Sequence, residues 1–258
     1  MGPPLLIALM ADLHANREAL EACLAHAQAR KAERCIFLGD YVGYGADPEW
    51  VVEKVMEHVA AGGVAVLGNH DFAVGERRDT LGAPAQASMD WTRVQLGAEQ
   101  RAFLSSLPLT HEEDGRLFVH AEASGPKRWT YVTDANDASR SIRATSCRTT
   151  FCGHVHNPAL YNMSEMWQNM SDMWKLTAGF RPVAGVPVPL MPQRRWLCVL
   201  GSVGQPRDGT PAASYAILDT ARAEVTYHRV PYDVEGAAAK VVAAGLPEAL
   251  ARRLREGR

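Results

Sequence analysis

The stretch of sequence that decides the fold is LLIALMADLHAN, residues 5–16. Its first half is a continuous apolar run, which predicts a buried β-strand, and Asp12 and His14 follow where that strand ends. Asn16 predicts the N-cap of a helix that runs to about residue 30. A buried strand that leads through polar residues into a helix is the repeating unit of an α/β sheet.

This unit recurs along the chain. Residues 35–38 predict a second strand, before a helix that Pro48 opens, and residues 64–67 predict a third. Two later strands are predicted at 117–119 and 149–152. Polar residues follow each of these strands, namely Asp40, Asn69 with His70, His120, and His154 with His156. Because α/β folds gather such loops at one edge of the sheet, we expect an active site there.

The remaining segments predict helices and a second sheet. Residues 84–106, with a break near Gly97, and residues 134–146 predict helices. Short β runs separated by Pro and Gly follow, at 194–200, 213–219 and 224–230. They predict a second sheet packed on the first. Residues 233–256 predict two closing helices. No low-complexity linker divides the chain, so we expect a single domain over residues 1–258.

A short near-repeat stands apart from this pattern. MSEMW at residues 163–167 recurs as MSDMW at residues 170–174. The spacing is too short for a repeat architecture. It indicates either two β-hairpin arms or a short amphipathic helix with Met and Trp in the core. An adaptable apolar lid or an oligomer contact is the alternative.

Composition excludes several classes of protein. The chain has 258 residues, 47% hydrophobic and 22% charged, which is typical of a globular protein. Its net charge of -2 argues against nucleic acid as a partner. No apolar stretch reaches the about 18 residues that span a bilayer, and Asp12 interrupts the early apolar run, so we expect neither a membrane association nor a secretory signal. Five cysteines without a C-x-x-C pair predict reduced thiols in a cytoplasmic protein.

The residues at the strand ends form a coherent set of metal ligands. Seven candidates stand out, namely Asp12, His14, Asp40, Asn69, His120, His154 and His156. Imidazole, carboxylate and amide groups without cysteine suit Mn, Fe, Zn, Ni or Co, with Mn or Fe favoured. Seven ligands are too many for one ion, so we expect two metal ions that share a bridging carboxylate. Such pairs, roughly 3.5–4 Å apart, serve in-line displacement at phosphorus.

The order of these motifs resembles that of the calcineurin-like metallophosphoesterases. Their signature runs D-x-H, G-D, G-N-H-[DE], H and G-H-x-H, and every part is present here in that order. The segment GSVGQPRDG, residues 201–209, is similar to a motif of a bacterial branch related to diadenosine tetraphosphatases and small phosphodiesterases. This resemblance implies a four-layer α-β-β-α sandwich, with two mixed β-sheets flanked by helices.

The resemblance also implies a role for each ligand. It gives Asp12, His14 and His156 to a first metal, Asn69, His120 and His154 to a second, and a bridging position to Asp40. His70 would donate a proton to the leaving oxygen or hold a phosphate oxygen. Asp71 would either assist His70 or cap a helix.

A substrate contact is suggested by the loop that contains Arg207. The loop is rich in Gly and Pro, and the Arg207 guanidinium could bind a phosphate there. The structural alternative is an arginine that braces the loop against Asp208.

These features predict a hydrolase of phosphate esters that depends on two metals and attacks with a metal-bridging hydroxide. A phosphodiesterase, or a hydrolase of nucleotides or dinucleoside polyphosphates, fits best, with a small phosphate ester or nucleotide as substrate. The alternatives are a protein phosphatase and a non-catalytic metal-bound scaffold. Protein phosphatases continue their G-D motif with Asp-Arg-Gly, whereas VGYG at residues 42–45 stands in the corresponding region here. The sequence is compatible with a homo-oligomer.

Overall fold

A computed structural model describes residues 5–76, 82–166 and 173–258, and for residues 165–166 and 173–178 it describes the backbone alone. In chain order, the described strands are β1 (Leu6–Met10), β2 (Arg34–Phe37), β3 (Val64–Ala65), β4 (Thr110–Glu113), β5 (Arg116–Val119), β6 (Thr149–Cys152), β7 (Ala159–Met166), β8 (Met173–Phe180), β9 (Pro187–Pro189), β10 (Arg194–Val199), β11 (Ala213–Asp219) and β12 (Glu224–Val230). The described α-helices are α1 (Arg17–Ala29), α2 (Pro48–Ala60), α3 (Asn69–Gly75), α4 (Ala83–Gln95), α5 (Ala98–Ser106), α6 (Ala135–Arg143), α7 (Val234–Ala243) and α8 (Glu248–Glu256).

The strands form two six-stranded mixed sheets. The first has the order β3-β2-β1-β11-β12-β9, and the second has the order β4-β5-β6-β10-β7-β8. Strands β1, β2 and β3 run parallel, as do β5, β6 and β10, and the other pairs are antiparallel. Each sheet therefore has a parallel part whose carboxyl ends can present loops to a common site.

One expectation about the sheets is wrong. The runs at 213–219 and 224–230 were expected in the second sheet, but β11 pairs antiparallel with β1, and β12 pairs with β11. Only β10 of the three runs joins the second sheet. The sequence did not predict β4, because its half-buried edge strand contains two glutamates and little apolar surface.

The sheets pack face to face between layers of helices. Alternate residues of β1 point to opposite sides. Ile7 and Leu9 enter the core between the sheets, while Ala8 and Met10 pack in the core with α1 and α2. Helix α6 packs on the outer face of the second sheet through Ile142. This confirms the α-β-β-α sandwich, and burial on both faces explains the continuous apolar run of β1.

The helix boundaries follow local sequence signals. The Asn16 side chain accepts a hydrogen bond from Ala19 N at 3.1 Å and caps α1. Pro48 is the first residue of α2, and Gly97 separates α4 from α5. Helices α7 and α8 close the chain as predicted. Among the described residues, no helix combines the length and apolar character needed to span a bilayer.

The described residues of the near-repeat lie on two paired strands. Strands β7 and β8 pair antiparallel, with Met166 opposite Met173, which matches the hairpin-arm alternative. Residues 167–172 lie outside the described residues, as do the side chains on either side of them. The expectations of a lid, of an oligomer contact and of a single domain stay predictions.

We expect the inter-sheet core to dominate stability. Phe118 and Phe151 are fully buried and stack with their ring centroids 5.4 Å apart. Phe118→Ala removes this contact and leaves a cavity, so the free energy of unfolding should fall by about 3–5 kcal/mol in urea titrations. Val94→Ala, at a position 79% exposed, is the matched control and should change it by about 0.5 kcal/mol or less. Equal effects of the two substitutions would contradict this assignment of the core.

Candidate metal centre

The loops that follow five strands converge where the two sheets meet. Strands β1, β2 and β3 of the first sheet and β5 and β6 of the second each end in at least one of the seven predicted ligands. Five of these residues have a left-handed backbone, with φ between 46° and 68°, namely Asp12, His14, Asp40, His154 and His156. Residues other than glycine adopt this backbone conformation at a cost of about 1–3 kcal/mol, and residues in this conformation cluster at functional sites.

A first cluster contains Asp12, His14 and His156. The two histidine Nε2 atoms lie 3.1 Å apart, and Asp12 Oδ1 lies 3.4 Å from His156 Nε2. His14 Nδ1 donates to Val42 O at 3.1 Å, and His156 Nδ1 donates to Gln205 O at 2.6 Å. Because a carbonyl oxygen only accepts, Nδ1 carries the hydrogen in both rings. In the neutral ring, each Nε2 therefore turns a lone pair toward the centre.

A second cluster contains Asn69, His120 and His154. His120 Nε2 lies 3.0 Å from Asn69 Oδ1 and 3.1 Å from His154 Nδ1. The outer nitrogens again donate to carbonyl oxygens, His120 Nδ1 to Leu38 O at 2.7 Å and His154 Nε2 to Trp129 O at 2.9 Å. In its neutral form, His154 therefore carries its hydrogen on Nε2, whereas the other three rings carry theirs on Nδ1. The His154 Nδ1 atom faces the centre.

Asp40 lies between the two clusters. Its Oδ2 is 3.3 Å from His120 Nε2 and 3.8 Å from His14 Nε2. Its Oδ1 accepts a hydrogen bond from His70 N at 2.8 Å, which fixes the orientation of the carboxylate. Asp40 is therefore within reach of both ligand sets, at the position expected of a bridging carboxylate.

The chemistry of these atoms fits bound cations. Six of the seven side chains are buried. The atoms turned inward are ring nitrogens, which have a lone pair in the neutral form, and oxygens that only accept. Acceptors about 3 Å apart repel one another unless a cation lies among them. Imidazoles whose outer N–H groups are held by carbonyls are typical of metal ligands, and the mixed nitrogen and oxygen set suits Mn, Fe, Zn, Ni or Co.

Comparison with known proteins gives the family of the chain. The profile of the calcineurin-like phosphoesterase superfamily domain matches residues 5–223. The chain belongs to this superfamily. An uncharacterized protein of Methanocaldococcus jannaschii is 34% identical over 264 aligned positions, which cover 98% of each chain. Members of the superfamily depend on a dinuclear metal centre, and the two ligand clusters described above supply candidates for one.

Solved structures of the superfamily have the same fold. A metallophosphoesterase from Sphaerobacter thermophilus is 36% identical with a TM-score of 0.85, and the match covers 99% of this chain and 100% of that one. A structure described as a putative diadenosine tetraphosphatase is 16% identical with a TM-score of 0.51, over 88% of this chain and 94% of that one. The second likeness shows the fold alone.

In this member of the superfamily, protons compete with metal ions for the candidate ligand atoms. Burial raises the pKa of the Asp12 carboxyl to about 8, and the charge of His120 offsets this only in part. Burial alone would lower the pKa of His120, but the Asp40 carboxylate outweighs it and raises that pKa to about 9. Burial would likewise raise the pKa of Asp40, yet His120 holds it well below its usual range. Without a metal, the second proton of His120 therefore points among the acceptors at neutral pH.

His70 borders both Asp40 and the first cluster. Its ring centroid lies 5.0 Å from that of His14, nearly perpendicular, and its Nδ1 lies 3.3 Å from Met89 Sδ. Ligand atoms of His14, Asp40 and His70 lie within 4.8 Å of one another. Burial lowers the pKa of His70, and the charge of Asp40 works against this. The imidazole is thus positioned beside the metal ligands.

Asp71 does not contact the His70 side chain. Its Oδ2 accepts hydrogen bonds from Asp40 N at 2.7 Å and Gly68 N at 3.0 Å, and its Oδ1 accepts one from Tyr41 N at 2.8 Å. The bond from Gly68 N caps the start of α3, where Gly68 is the N-cap residue. The capping alternative therefore matches the structure, and Asp71 also fixes the loop that presents Asp40.

Arg207 faces the centre, contrary to its structural alternative. Asp208 pairs with Arg229, so it does not brace Arg207. The Arg207 guanidinium instead donates to Gln205 Oε1 at 2.9 Å and lies 5.6 Å from the centroid of the Tyr44 ring. Burial is the largest cause of the lowered pKa of His156, and the positive charge of Arg207 is the second largest.

Some features of the centre could not be recognised from the types of the residues. The four carbonyls that orient the imidazoles belong to Leu38, Val42, Trp129 and Gln205. Any residue has a carbonyl, so only the fold reveals them. Gln205 and Val42 lie in segments quoted from the sequence, at residues 201–209 and 42–45, but nothing in those segments marks their carbonyls. Tyr131 stacks on His154 with centroids 4.1 Å apart and is half exposed.

We expect metal binding to depend on pH. The pKa of Asp12 is about 8 and that of His120 about 9, so at pH 7 both groups hold protons that a metal must displace. Affinity for Mn²⁺ should therefore rise with pH, about tenfold per unit for each proton released, and level off above about pH 9. Calorimetry in buffers of different ionisation enthalpy measures the released protons. Affinity that is constant from about pH 6 to 9 would contradict this.

Proposed function

We propose that this chain is a dinuclear phosphoesterase that hydrolyses phosphodiesters or nucleotides, including dinucleoside polyphosphates. The observation that carries the proposal is the pair of buried acceptor clusters that share Asp40. Asp12, His14 and His156 would hold one metal, Asn69, His120 and His154 the other, and Asp40 both. We propose Mn or Fe as the metals. When bound, two such cations supply hydroxide from water at neutral pH and neutralise phosphoryl oxygens.

We assign a proton transfer to His70. As an imidazolium beside the clusters, it would give its proton to the oxygen of the leaving group, and Met89 would support the ring from the other side. Burial lowers the pKa of His70 in the free protein. The negative charge of a bound phosphate favours the imidazolium, for the same electrostatic reason that Asp40 does.

We assign phosphate binding to Arg207. The net charge of the chain is -2, so attraction for a phosphate must come from the cations and from nearby arginines. Arg207 is held beside the first cluster by Gln205, with its charge felt at His156. A guanidinium can bind two phosphate oxygens at once and would orient the substrate for displacement.

Aromatic residues support a nucleotide as substrate. Tyr131 is half exposed and stacks on His154, so one face of its ring is open beside the centre, whereas Tyr44 is buried against His14. Aromatic surface of this kind stacks on nucleobases. We also propose a cytoplasmic location, because all five cysteines are buried free thiols, as expected in a reducing compartment.

The function is tested with a substrate panel and one substitution. Protein loaded with Mn²⁺ should hydrolyse bis(p-nitrophenyl) phosphate or diadenosine tetraphosphate faster than phosphopeptides. Asp40→Asn weakens the shared ligand, so we expect loss of at least one metal in elemental analysis and a fall in turnover of about 100-fold or more.

Asp114→Asn is the matched control for Asp40→Asn. Asp114 lies on the turn between β4 and β5 and also has a left-handed backbone, with φ 48°. The Asp114→Asn protein should keep both metals and full turnover. Two bound metals without hydrolysis of any phosphate ester would instead favour the non-catalytic scaffold, and a preference for phosphopeptides would favour the protein phosphatase.

The role of His70 is tested by comparing substrates that have different leaving groups. His70→Ala should retain both metals but lower turnover of alkyl or nucleoside esters by about 10²–10⁴-fold, since an alkoxide needs a proton. p-Nitrophenolate leaves without one, so esters of p-nitrophenol should lose far less. His111→Ala, on the edge strand β4, is the control. Equal losses on the two ester classes would point to phosphate binding by His70 rather than to proton transfer.

A further inference from the structure

The hydroxyl of Ser202 joins two ligands of the first cluster. Ser202 is fully buried in the loop after β10, and its hydroxyl bonds to backbone atoms. We infer that Ser202 is a positioning residue that fixes Asp12 and His156 relative to each other. This inference rests on the assignment of Asp12, His14 and His156 to one metal in the proposed function.

Three consecutive hydrogen bonds connect the two ligands. Ser202 Oγ donates to Asp12 O at 2.8 Å and accepts from Gln205 N at 2.8 Å. Gln205 O then accepts from His156 Nδ1 at 2.6 Å. The hydroxyl has one hydrogen to donate, and that hydrogen is used on the ligand loop. The side chain therefore links the backbone of one ligand to the imidazole of the other.

The surrounding loop leaves little room for a substitute. Gly204 N also donates to Asp12 O at 2.9 Å, and a Cβ on Gly204 would lie 1.9 Å from Leu13 O. The two loops are thus in direct backbone contact, while Ser202 and Gln205 are buried from solvent. Loss of the hydroxyl would therefore leave the buried Gln205 N–H without its present partner.

The effect should be greatest at the metal of the first cluster. Asp12 also accepts hydrogen bonds from His154 N of the second cluster, but those bonds involve neither Ser202 nor Gln205. The imidazoles of the second cluster donate to Leu38 O and Trp129 O, and neither carbonyl contacts Ser202. Removal of the Ser202 hydroxyl frees Gln205 O to turn, and the ring of His156 then loses its fixed direction. Asp12 at the same time loses a bond that holds its left-handed backbone, with φ 55°.

The experiment measures Mn²⁺ affinity by calorimetry in two backgrounds. His154→Ala disables the second ligand set and leaves the first, whereas His156→Ala does the reverse. Adding Ser202→Ala should weaken binding about 10–100-fold in the first background and less than about twofold in the second. Electron paramagnetic resonance of otherwise unsubstituted Ser202→Ala with two equivalents of Mn²⁺ should show mononuclear signals, where the unsubstituted protein shows a coupled pair.

Ser214→Ala is the matched control, because this buried serine donates to Leu200 O at 3.1 Å and contacts neither ligand. It should leave both affinities unchanged. If Ser202→Ala does not fold, Ser202→Cys fills the site with a slightly larger and weaker donor and should give a smaller loss in the same background. Equal loss in both backgrounds, an equal loss in Ser214→Ala, or unchanged binding to the first set would overturn the inference.

The two proposals fail in different ways. Unsubstituted protein that binds no Mn²⁺ would overturn the metal assignment and the role of Ser202 together. Two bound Mn²⁺ ions without hydrolysis would overturn the proposed activity alone, since the Ser202 experiment reads binding and spectroscopy rather than turnover.

Discussion

The centre depends on four imidazoles that each donate their outer N–H to a backbone carbonyl. This constraint determines which nitrogen of each ring faces inward, and it brings pairs of acceptor nitrogens within 3.1 Å of each other. In a buried site, such an arrangement is unfavourable by itself and becomes favourable with a positive charge among the acceptors. The rest of the structure can be understood as the means of holding these acceptors together.

The two sheets supply that means jointly. Val42 and Leu38 belong to the loops of the first sheet, whereas His120 and His154 follow strands of the second. The bond from His120 to Leu38 O therefore crosses from one sheet to the other. Because Phe118 lies two residues before His120 in the inter-sheet core, packing in that core sets the distance between ligands that come from different sheets. Residues that stabilise the core therefore also position the candidate ligands.

Much of this architecture follows from local patterns, and the part that does not has a physical reason. Apolar runs, Asn16, Pro48 and Gly97 predicted strands and helix boundaries, because each acts within a few residues of itself. The pairing of β11 with β1 joins residues about 210 positions apart, as Leu6 with Asp219, and no local pattern specifies such a partner. It is decided by which sheet edge remains free once the others have packed.

The same distinction applies within the centre. Seven candidate ligands were recognisable because their chemistry resides in side chains and their order matched a family. Asp71 was ambiguous, since a carboxylate at that position can face a histidine or the backbone, and only the loop of Asp40 determines which. The orienting carbonyls and the Ser202 hydroxyl were hidden, because their function comes from where the fold places a common group.

Backbone strain connects these observations. Asp12, Asp40 and His154 each have a left-handed backbone, which costs about 1–3 kcal/mol apiece, and hydrogen bonds from neighbouring loops hold each of them. His154 N donates to both oxygens of Asp12, so one strained ligand supports another across the sheets. The ligand loops are thus held by hydrogen bonds of the protein itself. Metal binding would then exchange the protons of Asp12 and His120 for cations.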